Sequence, residues 1–63
     1  MRFYIWSYEH DAWWGPESRG YTKDKKEAGI YSAAEAVEIC YMANRFLPDG
    51  VLNEKMVNVE EEA

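Results

Sequence analysis

The sequence predicts a small α+β domain, an antiparallel sheet in β-β-α-β order with one main helix packed on one face. Three observations lead there. The stretch Arg2 to Trp14, RFYIWSYEHDAWW, sets apolar and aromatic side chains on both sides of a two-residue period. Ser32-Ala33-Ala34-Glu35 has the spacing of a capping box, followed by apolar residues at helical intervals. Pro48-Asp49-Gly50 then stops the helix and turns the chain toward a last apolar-containing segment.

Residues 3–9 carry the β-formers of a first strand, with Phe3 and Ile5 on one side and Tyr4, Trp6, Tyr8 and His10 on the other. Gly15-Pro16 is a strong turn signal and Glu17-Ser18-Arg19-Gly20 continues a polar loop, so Trp13-Trp14 and Gly20-Tyr21-Thr22 read as the arms of an irregular hairpin. Asp24 to Gly29 reads as a single helical turn, capped by Asp24 and closed by Gly29 in the left-handed conformation. Ile30 and Tyr31 lead into the main helix, expected over about Ala33 to Phe46. Its core stripe is Ala33, Ala36, Val37, Cys40, Ala43 and Leu47, while Glu35, Glu38 and Arg45 mark the wet face. Residues 52–59, LNEKMVNV, make the final strand, with Lys55, Val57 and Val59 on one side and Met56 and Asn58 on the other. The Glu60-Glu61-Glu62-Ala63 tail is expected to be disordered.

Sixty-three residues make one domain with a modest core, worth roughly 3–5 kcal/mol without a disulfide, a metal or a partner. Cys40 is the only cysteine, so no intrachain disulfide forms, and with His10 the only histidine a multi-ligand zinc site is excluded within one chain. Association with another chain is the support left open. Seven basic against twelve acidic residues give a net charge of −5, which disfavours nucleic acid and anionic membranes as partners. No apolar run is long enough to span a bilayer, and the start MRFYIWSYEH lacks the apolar region of a signal peptide. A soluble, cytoplasmic protein is expected.

Catalysis finds little footing. Glu9-His10-Asp11 is the one cluster of acid–base groups, and in an extended chain His10 points away from both carboxylates. Cys40 lies on the predicted core stripe with no neighbouring base, as a small hydrophobe. Neither Ser7 nor Ser18 sits in a nucleophile elbow, and no glycine opens a phosphate-binding loop. The expectation is a non-enzyme with no cofactor and no metal.

The aromatic row is different, because a strand that is apolar on both faces needs two covers and one helix supplies one. Trp13, Trp14 and the loop could fold back as a second small core. A second copy or another protein could cover the rings instead. A small-molecule pocket or a base-stacking platform is the third option, with Arg19 or Lys23 meeting phosphate. Tyr4, Trp6, Tyr8, His10, Trp13, Trp14, Arg19 and Tyr21 are therefore the candidate partner-binding residues. Ile39, Met42 and Phe46 form a second apolar row on the helix and are the candidates for self-association, with a homodimer expected.

The segments Ile5-Trp6-Ser7, Glu9-His10, Ala12-Trp13-Trp14 and Pro16, then Gly20-Tyr21-Thr22, Ala28-Gly29, Tyr31-Ser32 and Glu35-Ala36, together resemble a group of small tailed-phage and prophage proteins. The resemblance covers about residues 4–44, and Glu9 to Trp14 is its most specific part. No reaction is established for that group, so no residue acquires a catalytic role from it. It implies a phage source, and with it an accessory protein that binds and inhibits a host protein, anti-defence inhibitors included.

Overall fold

The computed structural model describes residues 1–48 and 50–62, the side chains of Glu61 and Glu62 excepted. The class is α+β, one helix on one face of a curled antiparallel sheet. Strands β1 (Arg2–Ser7), β2 (Ala12–Trp14), β3 (Tyr21–Thr22) and β4 (Tyr31–Ser32) precede helix α1 (Ala33–Asn44), and β5 (Glu54–Asn58) follows it. The short β4 was expected only as the entry to the helix.

Every other element is arranged around β1. All of β5 pairs along one of its edges, from Phe3 opposite Asn58 to Ser7 opposite Glu54. The other edge is shared: β4 takes Arg2 and Phe3, and β2 takes Trp6 and Ser7. Strand β3 extends the sheet beyond β2, pairing Thr22 with Trp13 and Tyr21 with Trp14. The expected hairpin of Trp13-Trp14 with Tyr21-Thr22 is present.

Alternation along β1 sends Ile5 and Ser7 into the interior, with Phe3 beside them. The core is Ile5, Tyr31, Ala36 and Cys40, flanked by Phe3, Trp14, Ile39 and Met56. Tyr31 does more than fill space. Its hydroxyl donates to the Gly15 carbonyl and accepts from the Ser18 amide at 3.0 Å, fastening the 15–18 turn to the core. That turn needs fastening, since Glu17 and Ser18 hold φ of 56° and 59°, where residues with a Cβ are disfavoured.

The helix opens as its sequence dictates. Ser32 Oγ accepts the Glu35 amide at 3.2 Å, and Glu35 Oε1 accepts the Ser32 amide at 3.0 Å. These bonds hold the Glu35 carboxyl below its ordinary pKa. The predicted core stripe needs correcting, because Ala33 and Val37 are exposed and the buried line runs through Ala36 and Cys40. The helix is also two residues shorter than expected, ending at Asn44.

The turn after β3 is a 3-10 turn at Lys25–Glu27, and Asp24 caps it by accepting the Lys26 amide at 2.9 Å. Gly29 does not take the left-handed conformation assigned to it; among the glycines only Gly20 and Gly50 have positive φ. It is needed for close approach instead. A Cβ there would lie 2.6 Å from the Gly15 carbonyl oxygen and 2.9 Å from Pro16 Cα, where the Gly29 amide donates to Trp14 O at 2.9 Å. The backbone of Val59–Glu62, where the acidic tail begins, forms a 3-10 turn, and Ala63 lies outside the described residues. Among those residues no helix is long and apolar enough to cross a membrane.

Candidate functional site

Side chains at alternate positions of paired strands share a face, and this divides the candidate residues into two groups. Tyr4 and Trp6 of β1, Trp13 of β2, and Lys55 and Val57 of β5 lie on the face away from α1. Trp14 and Tyr21, one position out of phase with Trp13 and Thr22, lie on the helix side. The two adjacent tryptophans therefore do different work.

On the open face Trp6 meets Trp13 edge-on, centroids 4.8 Å apart, and Tyr4 meets Trp13 at 5.5 Å. Lys25, carried on the 3-10 turn after β3, places its ammonium 5.3 Å from the Tyr4 ring and 5.2 Å from the Trp13 ring. Beside the rings runs an open groove of about 610 Å³, lined by Trp6, Tyr8, Trp13, Lys55, Met56, Val57 and Asn58. No carboxylate is among these lining residues. The face is thus aromatic, with Lys25 and Lys55 beside its rings, in a chain that is acidic as a whole.

The helix side carries a different constellation. Trp14 Nε1 donates to Glu54 Oε2 at 3.2 Å, and Glu54 itself is buried. Tyr21 sits edge-on to Trp14 at 6.0 Å and stacks on His10 at 3.7 Å. Burial, then the charges of Glu54 and Glu9, raises the Tyr21 pKa. The two-residue period places His10 beside Tyr8 on the open face, and the structure does not. Strand β1 ends at Ser7, and a turn through Asp11 at φ 52° swings the imidazole round to Tyr21.

That turn also accounts for the one acid–base cluster. Ser7 Oγ accepts the His10 amide at 3.1 Å and lies 3.1 Å from His10 Nδ1, while Glu9 Oε1 is 3.9 Å from the same nitrogen. A serine and an imidazole at hydrogen-bond distance suggest a nucleophile and its base. Here Ser7 has no exposed surface, and its hydroxyl holds the turn. Cys40 is likewise buried, its thiol pushed up to about 11, first by burial and then by Glu54. No group of three or more His, Cys, Asp or Glu side chains among the described residues is placed to hold a metal ion.

Arg19 is exposed on the loop, and Lys23 is tied to Asp11, donating to its carbonyl at 2.6 Å and its carboxylate at 3.2 Å. Neither lines the aromatic groove. Lys25, which lies over the rings, and Lys55, which lines the groove, carry no signal in the sequence beyond their charge. On α1, Ile39 is half-buried against the core and Met42 is exposed, while Phe46, beyond the end of the helix, is 85% exposed with Arg45 over its ring at 4.6 Å. Ile39 and Met42 border a second, apolar groove of about 420 Å³ with Trp14, Ser18, Glu38 and Ala43. Searches against family models, curated proteins and solved structures return no match.

Proposed function

We propose that this chain is a non-enzymatic binding module that captures a partner protein on the open aromatic face of its sheet. The observation that carries the reading is the placement of Tyr4, Trp6 and Trp13 on the face that α1 leaves uncovered, beside a groove with room for a partner's side chains. Tyrosine and tryptophan at the centre of such a patch are the residue types that dominate binding energy at protein interfaces. The resemblance to small phage proteins supports a host protein as the partner and its inhibition, anti-defence included, as the outcome. A cytoplasmic location follows from the same reading.

The experiment is capture from host lysate by the wild-type chain, Trp6→Ala and Trp13→Ala, with Trp14→Phe as the helix-side comparison. Trp6→Ala and Trp13→Ala are expected to lose a specifically captured band while keeping the helical circular dichroism signal. Trp14→Phe is expected to retain it. Capture undiminished by either open-face variant would refute the assignment of the face.

A second reading has its own support. Lys25 lies over two rings, and Lys55 stands opposite Trp6 across the β1–β5 pair. Rings beside a groove lined by lysine suit a nucleotide or a single-stranded nucleic acid, with the bases stacked and the phosphates met by Lys55. Tryptophan fluorescence quenched by oligonucleotides, more weakly as salt rises, would favour it. A flat titration at low salt would dismiss it.

A further inference from the structure

We propose that two copies of this chain join through the outer edge of β5, extending one sheet into the other and bringing their helices together above the seam. The seam borders the aromatic groove, whose lining includes Met56, Val57 and Asn58, so the two readings are told apart by Tyr41→Glu, which alters the seam alone, and Trp13→Ala, which alters the rings alone.

The argument starts from Asn44, the last residue of α1. Its Oδ1 accepts the amides of Asn53 at 2.7 Å and Glu54 at 3.1 Å, and its Nδ2 donates to the Glu54 carbonyl at 2.9 Å. Both backbone groups of Glu54 therefore point away from β1. In an antiparallel ladder the backbone groups of alternate residues point to the same edge. Met56 and Asn58 accordingly present their N–H and C=O groups on the outer edge, while those of Lys55 and Val57 face β1. The Tyr8 amide donating to Asn53 O at 2.7 Å fixes the same phase from the inner side. The register from Phe3–Asn58 to Ser7–Glu54 is unbroken, so no bulge resets it. The side-chain amide of Asn44 thus substitutes for a neighbouring strand at Glu54. Among the described residues no side chain or further strand does so at Met56 or at the Asn58 amide, while the Asn58 carbonyl also opens the 3-10 turn that follows β5.

An open strand edge without proline or bulge is a template for another strand. What lies beside it identifies the occupant. Tyr41 and Val37 stand one and two helical turns before Asn44, on the flank of α1 that overlooks this edge. They are 64% and 55% exposed. A short strand edge by itself falls short of the roughly 1,000 Å² that a stable interface needs. An added peptide would also leave Val37 and Tyr41 in water. A second copy brings its own edge and its own apolar row, which is the self-complementarity a twofold axis demands. With that axis at Val57, Met56 of each copy meets Asn58 of the other, and all the outward groups at these positions are paired. The two Lys55 side chains fall at opposite ends of the seam, away from each other.

Sedimentation equilibrium across micromolar to millimolar concentrations, joined to residue-resolved amide exchange, tests the proposal. The expected result is a dimer in which the Met56 and Asn58 amides gain protection as dimer accumulates, with Lys55 and Val57 protected throughout. Tyr41→Glu, at an exposed position, and Asn58→Pro, which removes an outward donor, are each expected to raise the dimer dissociation constant by about tenfold or more. The helical signal should be unchanged in Tyr41→Glu. A chain monomeric at every concentration would overturn the proposal. So would a dimer with freely exchanging Met56 and Asn58 amides, or one broken by Met42→Glu and indifferent to Tyr41→Glu.

Discussion

Asn44→Ala is expected to cost this domain a large share of its stability, although the side chain is only half-buried. The amide makes three hydrogen bonds of 2.7, 2.9 and 3.1 Å, all to the backbone of Asn53 and Glu54, and joins the end of α1 to the start of β5. At roughly 0.5–1.5 kcal/mol net for each bond, the three together contribute about 1.5–4.5 kcal/mol. Water can reach a half-buried site and replace part of the loss, which places the expectation near the low end, about 2 kcal/mol. Set against a core worth roughly 3–5 kcal/mol in a chain of this size, that is a severe loss. For domains of about this length each 1 kcal/mol lowers Tm by roughly 4–8 °C, so a fall of about 8–16 °C is expected. Thermal and urea unfolding followed by tryptophan fluorescence would measure it, with an unchanged urea m-value showing that the unfolded state is not responsible. Asn44→Gln keeps the chemistry but moves the amide by a methylene, and should recover little. A Tm drop below about 3 °C in Asn44→Ala would refute the reasoning, because the strand would then be held by β1 alone.

Gly29→Ala is expected to destabilise by about 1–3 kcal/mol, since the three atoms nearest the new Cβ are backbone and cannot rotate aside. Gly20→Ala is the control: it meets nothing within 4 Å and should cost only the penalty of its positive φ, about 1 kcal/mol, so equal Tm losses would count against close packing at Gly29. The Cys40 thiol, raised from 9.0 to about 11 by burial and then by Glu54, favours the neutral form in the folded chain. Its contribution is therefore complete below the unfolded pKa and is lost as pH rises from there through about 11. Tyr21, also raised, adds to the same alkaline limb, so the difference between wild type and Cys40→Ala isolates the thiol. An identical pH dependence of the urea midpoint in both proteins would contradict this, as would rapid alkylation of the folded chain at neutral pH.

What could be read from the sequence was whatever depends on near neighbours. The capping box at Ser32 and Glu35, the Asp24 cap and the alternation of β1 each involve residues a few positions apart, and each is found. The failures share a cause in tertiary geometry. Val37 satisfies helical spacing for the core, but which stripe of a helix faces the sheet is set by packing, and the line through Ala36 and Cys40 takes that place. His10 fits the two-residue period only if the strand continues, and Ser7 ends it by taking the His10 amide onto its own hydroxyl. Composition groups Trp13 with Trp14, although adjacent strand residues must face opposite ways. The Asn44–Glu54 and Trp14–Glu54 bonds span the helix–strand connection and most of the chain, respectively, and no local pattern announces either.

These long-range polar contacts explain how so small a fold can leave Tyr4, Trp6 and Trp13 only half-buried. The buried core of Ile5, Tyr31, Ala36 and Cys40 is thin, and one helix over five strands cannot thicken it. Hydrogen bonds take up the task at its margins: Asn44 locks β5 to α1, Tyr31 locks the 15–18 turn, Glu54 takes the Trp14 indole, and Ser7 closes the turn after β1. Each lies on the helix side of the sheet or at its ends. The opposite face consequently carries less of the duty of holding the chain together, and among the described residues its rings Tyr4, Trp6 and Trp13 meet one another and Lys25. A surface relieved of that duty can exchange its contacts with water for contacts with a partner while the fold beneath it stays as it is. This is why open-face substitutions should weaken binding before they weaken folding, and helix-side substitutions the reverse.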